Sequence, residues 1–152
     1  MKKVLIALDN NSNYNLISRK GNELAKALGA SIALVHVFPD TIITSPNAFA
    51  GLYPGIGTMD IEQELKLAEQ LDVESKKFLA QVKDEIKDEK AEIYTAEGDV
   101  ANAILETAAN CKADIIVIGS HSRSGIDKIL MGNVAKKILQ HSHLPLFIIP
   151  VK

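Results

Sequence analysis

The chain contains no tryptophan, and its three tyrosines and four phenylalanines make up only 5% of it. That is thin material for a surface that stacks nucleic-acid bases. Charge of one sign is also lacking. Lysine and arginine number 17 against 19 aspartates and glutamates, for a net charge of −2. A protein held to nucleic acid by bulk charge carries a basic stripe, which this balance argues against. The single cysteine, Cys111, excludes an internal disulfide framework. It falls at the expected end of a helix and reads as a helix-end residue rather than a redox sensor. No apolar run approaches the ~18 residues of a transmembrane helix, so no membrane association is expected. Met1-Lys2-Lys3 followed by V-L-I-A-L begins like a signal peptide. Asp9 and the asparagines after it cut that run short, and no small-residue cleavage site follows. The expectation is a cytoplasmic protein.

What is present is enough for a full core. Of 152 residues, 47% are apolar and 24% charged, which fits one globular domain over 1–152. Val4 to Leu8 is a short apolar run with the character of a strand buried on both faces. Ile17, Gly21, Leu24, Ala25 and Leu28 follow at helical spacing, and Gly29 closes that helix. Ile32 to Phe38 is a second strand, stopped by Pro39. Asp40 to Thr58 holds prolines and glycines with no core pattern, and reads as a mobile loop, its closing as a lid left open by the sequence. Asp60 opens a long helix with its inner stripe at Leu71, Ser75, Phe78, Leu79, Val82 and Ile86. Glu92 to Ala96 is a third strand, Gly98-Asp99 a turn and N-cap, and Val100, Ile104, Leu105 and Ala108 one face of a third helix. Ile115 to Ile118 is the fourth strand. A helix from about Val134 to Gln140 and a fifth strand over Leu144 to Val151 complete the alternation. Short apolar strands alternating with helices predict an α/β fold: an open five-stranded parallel sheet with helices on both faces. In such sheets a ligand sits at the strands' carboxyl ends, where the strand order reverses.

The last third carries the chemistry. A buried strand ends at Gly119, a loop of small and polar residues follows, and Gly132 opens a helix at Asn133. Glycine lets backbone approach a ligand, and a helix N-terminus offers free N–H groups and partial positive charge to a phosphate. The histidines are less informative. His141 and His143 lie at a helix end, and two ligands without a nearby cysteine or carboxylate are too few for structural zinc. His36 lies within a strand, where a neighbour is expected to satisfy it. No catalytic constellation stands out: G-x-S-x-G and the Walker A pattern are both absent.

Gly119-Ser120-His121-Ser122, nine residues, then Gly132-Asn133 is similar to the G-x-x-G, nine residues, G-[S/T] frame of the universal stress protein family's nucleotide-binding subgroup. Ser122 stands in place of the second glycine and Asn133 in place of the Ser/Thr, so the motif is degenerate. The first strand ending in Asp9, the L-V-H-V end of strand two, and A-D-I-I-V-I-G-S-H add to the likeness. The chain resembles that family over its whole length. The resemblance implies a Rossmann-like fold of the adenine nucleotide alpha hydrolase type. It places Asp9 near the ribose or a bound metal and the Val37 backbone on the adenine edge. It places Gly119 where the ribose approaches the sheet, and Ser122, Gly132, Asn133 and Val134 around the phosphates. Arg123, beside Ser122, is suited to neutralise a phosphate, and Asn133 keeps an N-cap oxygen. The expected function is an ATP- or other adenine-nucleotide-binding regulatory protein of the stress response. Magnesium is expected with the nucleotide, and at most slow hydrolysis. The alternative is a nucleotide-independent dimeric scaffold of the same family. Expected partners are a second copy, paired through Leu144 to Val151, and other, unidentified proteins.

Overall fold

The computed structural model describes residues 2–38, 61–121 and 131–151. The loop expected from Asp40 to Thr58, and Ser122 and Arg123, lie outside them. Five strands, β1 (Lys3–Ala7), β2 (Ser31–Phe38), β3 (Glu92–Glu97), β4 (Ile115–Gly119) and β5 (Leu146–Ile149), alternate with four helices. The helices are α1 (Tyr14–Leu28), α2 (Ile61–Glu85), α3 (Val100–Asn110) and α4 (Asn133–His141). All strands pair in parallel, in the order β3-β2-β1-β4-β5. The expected open, doubly wound sheet is therefore present. No helix among the described residues is long and apolar enough to cross a membrane.

Alternation along the strands divides the core into two layers. Val4, Ile6, Ile32, Leu34 and Val117 face α1 and α2, where they meet Ile17, Ala25, Phe78, Leu79 and Val82. Leu5, Ala33, Val35, Ile116 and Ile118 face α3 and α4, against Ala101, Ile104, Ala108, Ala135 and Ile138. Both faces are covered, which is why β1 and β4 read as unbroken apolar runs. The stripe expected on α2 is buried from Ser75 through Val82, and Ile86 is buried just past the helix end. Gly29 ends α1 at φ 61°, a left-handed position that suits glycine, and its N–H donates to the Ala25 and Lys26 carbonyls. Cys111 is the buried C-cap of α3, and burial pushes its thiol pKa up.

Two expectations need correction. The fifth strand is shorter than Leu144 to Val151, spanning Leu146–Ile149. Pro145 and Pro150 bound it, and the Val151 N–H turns away to donate to Ser120 Oγ at 3.0 Å. The last helix opens at Asn133 after Gly132, as expected from the two residues and one position before the approximate Val134 bound, and Gly132 is its N-cap. The capping role expected of Asn133 is thus filled by a glycine with no side chain to give.

Candidate functional site

The strand order reverses between β1 and β4. β2 lies on one side of β1, β4 on the other, and their connections leave in opposite directions. A cleft of about 700 Å³ opens there at the carboxyl ends of the strands. Six of the eight expected residues line it: Asp9, Val37, Gly119, Gly132, Asn133 and Val134. They come from three strand ends and one helix start, up to 125 positions apart in sequence (134 − 9).

Val37 reaches the cleft because two strands end at different heights. β1 pairs with β2 as far as Ala7 opposite Val35, and the Leu8 N–H donates to the Val35 carbonyl at 2.9 Å. β2 continues to Phe38, whose carbonyl accepts from the Gly98 N–H on the β3 side at 3.1 Å. In a parallel strand, successive residues turn their backbone groups to opposite neighbours. Val35 and Val37 therefore both face β1, and β1 has ended before it reaches Val37. Among the described residues the Val37 N–H and C=O have no partner. Among the described residues one donor and one acceptor thus stand side by side at the cleft wall, a pair that is costly if buried with nothing to meet it.

The opposite wall is the start of α4. Its first intrahelical bond is donated by Lys136 N–H to the Gly132 carbonyl at 3.0 Å. The N–H groups of Asn133, Val134 and Ala135 thus have no intrahelical acceptor, and the first turn carries no acidic residue. α3 also points its N-terminus at the cleft, but that end is closed. Asp99 accepts from Asn102 N–H at 2.9 Å and pairs with Lys137 Nζ at 3.0 Å. The Asn102 hydrogen bond, then Lys137, hold its carboxyl below the usual carboxylate range. Among the described residues no acid caps the start of α4, whereas Asp99 caps the start of α3, so of the two helix ends α4 is the one suited to an anion.

Both glycines lie close against neighbours. A Cβ on Gly119 would stand 2.7 Å from Ile17 Cδ1. A Cβ on Gly132 would stand 3.1 Å from the Ser120 carbonyl oxygen and 3.3 Å from His121 Cα. Gly132 has φ −61°, so a side chain there would be crowded by contact rather than strained by the backbone. Sequence reasoning missed Ser120. Its N–H donates to Ile149, its carbonyl accepts from Gly132 N–H at 2.7 Å, and its Oγ accepts from Val151 N–H. One serine thus ties the ends of β4 and β5 to the start of α4. Asn11 was also missed. Its Oδ1 accepts from Asn13 N–H at 2.9 Å and shapes the loop beside Asp9. His36 is satisfied as expected by a neighbour, with Nδ1 2.7 Å from Ser75 Oγ. His141 Nδ1 lies 2.9 Å from its own helix's Lys137 carbonyl.

Strand order, layer arrangement and cleft position define a doubly wound α/β protein of Rossmann-like topology with a cleft at the switch point. The profile of the Universal stress protein family matches residues 1–150, and the chain belongs to that family. It is 30% identical over 150 residues to universal stress protein MJ0531 of Methanocaldococcus jannaschii, covering 97% of this chain and 81% of that one. The solved structure of MJ0577 from the same organism shares the fold, with a TM-score of 0.76 and 22% identity over 99% of this chain and 96% of that one. A universal stress protein solved in complex with cAMP also shares it, with a TM-score of 0.59 and 18% identity over 97% and 95% of the two chains.

Proposed function

We propose that the protein is a regulatory protein of the stress response that binds an adenine nucleotide, ATP or a relative of it, in the switch-point cleft. The observation that carries this reading is the pairing of opposite walls. The N–H and C=O of Val37, without a partner among the described residues, match the donor and acceptor on an adenine edge, and the N–H groups of Asn133 to Ala135, which have no intrahelical acceptor, match a phosphate. Asp9 lies between them on the cleft wall and is suited to accept from ribose hydroxyls. The adjacent Ser122 and Arg123 complete the phosphate end in this reading. A family member solved with cAMP supports the adenine class of ligand. Magnesium travels with the phosphates and supplies charge neutralisation when bound. The protein works in the cytoplasm as a homodimer through β5 and reports its occupancy to other proteins.

Titration calorimetry with ATP and magnesium is the test. Binding is expected, with a thermal shift equivalent to roughly 2.7 kcal/mol at about 100 times the dissociation constant. Gly132→Val is expected to abolish it, because a branched side chain enters the space beside the Ser120 and His121 backbone and the α4 N-terminus. No heat and no shift at millimolar nucleotide sinks the proposal and leaves the scaffold reading in its place.

A further inference from the structure

Three side chains, from α2, β2 and the loop after β1, stand in line beside the cleft. Ser75 on α2 is 3% exposed, and its Oγ lies 2.7 Å from His36 Nδ1 on β2. The other ring nitrogen, Nε2, faces Asp9 Oδ1 across 3.9 Å. The imidazole is held edge-on by Phe78 at a centroid distance of 5.5 Å, and Phe78 is held in turn by Tyr14 at 5.2 Å. Hydrolases use the same three residue types with the serine facing substrate and the acid buried. Here the order is inverted. The serine is sealed inside and the acid, with a side chain 50% exposed, lines the cleft. No nucleophile is presented, so the end of the line that can touch a ligand is Asp9.

The chemistry sets the direction of the protons. A ring nitrogen that faces a carboxylate is favoured as N–H, since a lone pair there would be repelled. Nε2 then carries the hydrogen and Nδ1 is the acceptor, which makes the Ser75 hydroxyl the donor. At 3.9 Å the His36–Asp9 contact is longer than a hydrogen bond, and a side-chain shift of about 1 Å closes it. We infer that His36, locked by Ser75, is a positioning residue that turns the Asp9 carboxylate toward the ribose hydroxyls of the bound nucleotide. The cleft thereby reads the sugar through a carboxylate aimed from α2. This rests on the nucleotide reading above.

Two measurements test it. In the ligand-free protein, long-range proton–nitrogen NMR of the imidazole is expected to show the Nε2–H tautomer of His36, and Ser75→Ala to weaken that preference. An Nδ1–H tautomer in the wild type overturns the inference whether or not nucleotide binds. Calorimetry then compares ATP with its 2′,3′-dideoxy analogue, both with magnesium. His36→Leu is expected to weaken ATP binding about tenfold while leaving the dideoxy analogue unchanged. Ser75→Ala is expected to do the same to a lesser degree, and it carries the test if His36→Leu does not fold. His36→Gln, whose amide N–H can stand near the Nε2 position, is expected to retain most of the affinity. Equal losses for both nucleotides mean a merely structural histidine and overturn the inference. So does a wild type that binds both nucleotides equally, which leaves the nucleotide reading intact. A wild type that binds neither overturns both.

Discussion

Gly21 lies inside α1, where glycine ordinarily costs about 1 kcal/mol relative to alanine. Here the penalty is accepted for contact, since a Cβ would stand 2.5 Å from Ile6 Cδ1 and 2.8 Å from its Cγ1. Gly21→Ala is therefore expected to destabilise the fold by about 1–3 kcal/mol despite its better helix propensity. Adding Ile6→Val, which removes the Cδ1, is expected to recover part of the loss. Urea unfolding of the wild type and the two variants checks this, and a stabilised Gly21→Ala would mean that α1 does not press on β1. His36 gives a pH signature at the same scale. Burial lowers its pKa, and Asp9 opposes the shift in part. Below its ordinary value of about 6.5 the unfolded chain takes up a proton that the fold resists, so the unfolded state holds more protons and stability rises with pH. Stability is expected to be full above that pH and to decline as pH falls from there toward the lowered folded value. Unfolding midpoints across pH 5–8 are expected to show this slope in the wild type (about the range where histidine titrates). The slope should be flatter in His36→Gln, and equal slopes would defeat the assignment.

The two helices that meet the cleft from the α3–α4 layer are built with opposite ends. α3 begins with an acid that accepts from its own first turn, and α4 begins with a bare glycine. Asp99→Ala is expected to cost about 1 kcal/mol through the lost cap. The exposed ion pair to Lys137 should add little to that. Denaturant unfolding with an unchanged m-value reads the cap alone, and a loss near zero would show that Asn102 finds another acceptor. Gly132 has no side chain to cap α4, and a larger residue there would be crowded by the Ser120 and His121 backbone. β5 shows a different kind of opening. Pro145 and Ile149 turn their carbonyls to β4, accepting from Ile116 and Ser120 N–H groups. By alternation, Leu146 and Ile148 direct their N–H and C=O groups to the free edge.

That edge decides the quaternary expectation. Phe147 is 39% exposed, on the side of the sheet that α1 and α2 cover elsewhere, and the outward groups of Leu146 and Ile148 invite a second strand. An antiparallel two-fold pair through β5 is expected, with a scattering mass twice the 16.5 kDa of the chain. Ile148→Pro removes an outward donor without touching the ladder to β4, and is expected to shift the protein to monomer. A wild-type mass of 16.5 kDa at micromolar concentration rules the dimer out. Much of this fold could be read in advance for physical reasons that are local. V-L-I-A and I-I-V-I are apolar throughout because their strands are covered on both faces. Gly29 and Asp99 mark helix ends through their own backbone and side chain, and Gly119 and Gly132 announce a loop that passes close to something. Whatever depends on registration between distant segments was not legible in the same way. Ser75 was visible only as a polar member of an apolar stripe, with its partner His36 39 residues away. Lys137 and Asp99 are 38 apart. Ser120 looked like one more small loop residue until β4, β5 and α4 converged on it. The sequence by itself determined the elements, their alternation and the residues at strand ends, because periodicity and turn chemistry act over a few positions. Only the tertiary structure decided that β2 outruns β1 and leaves Val37 without a partner among the described residues, that Gly132 rather than Asn133 caps α4, and that Asp9 has a histidine behind it. Each of these follows from how far one strand extends beside another, and no single segment encodes that length difference.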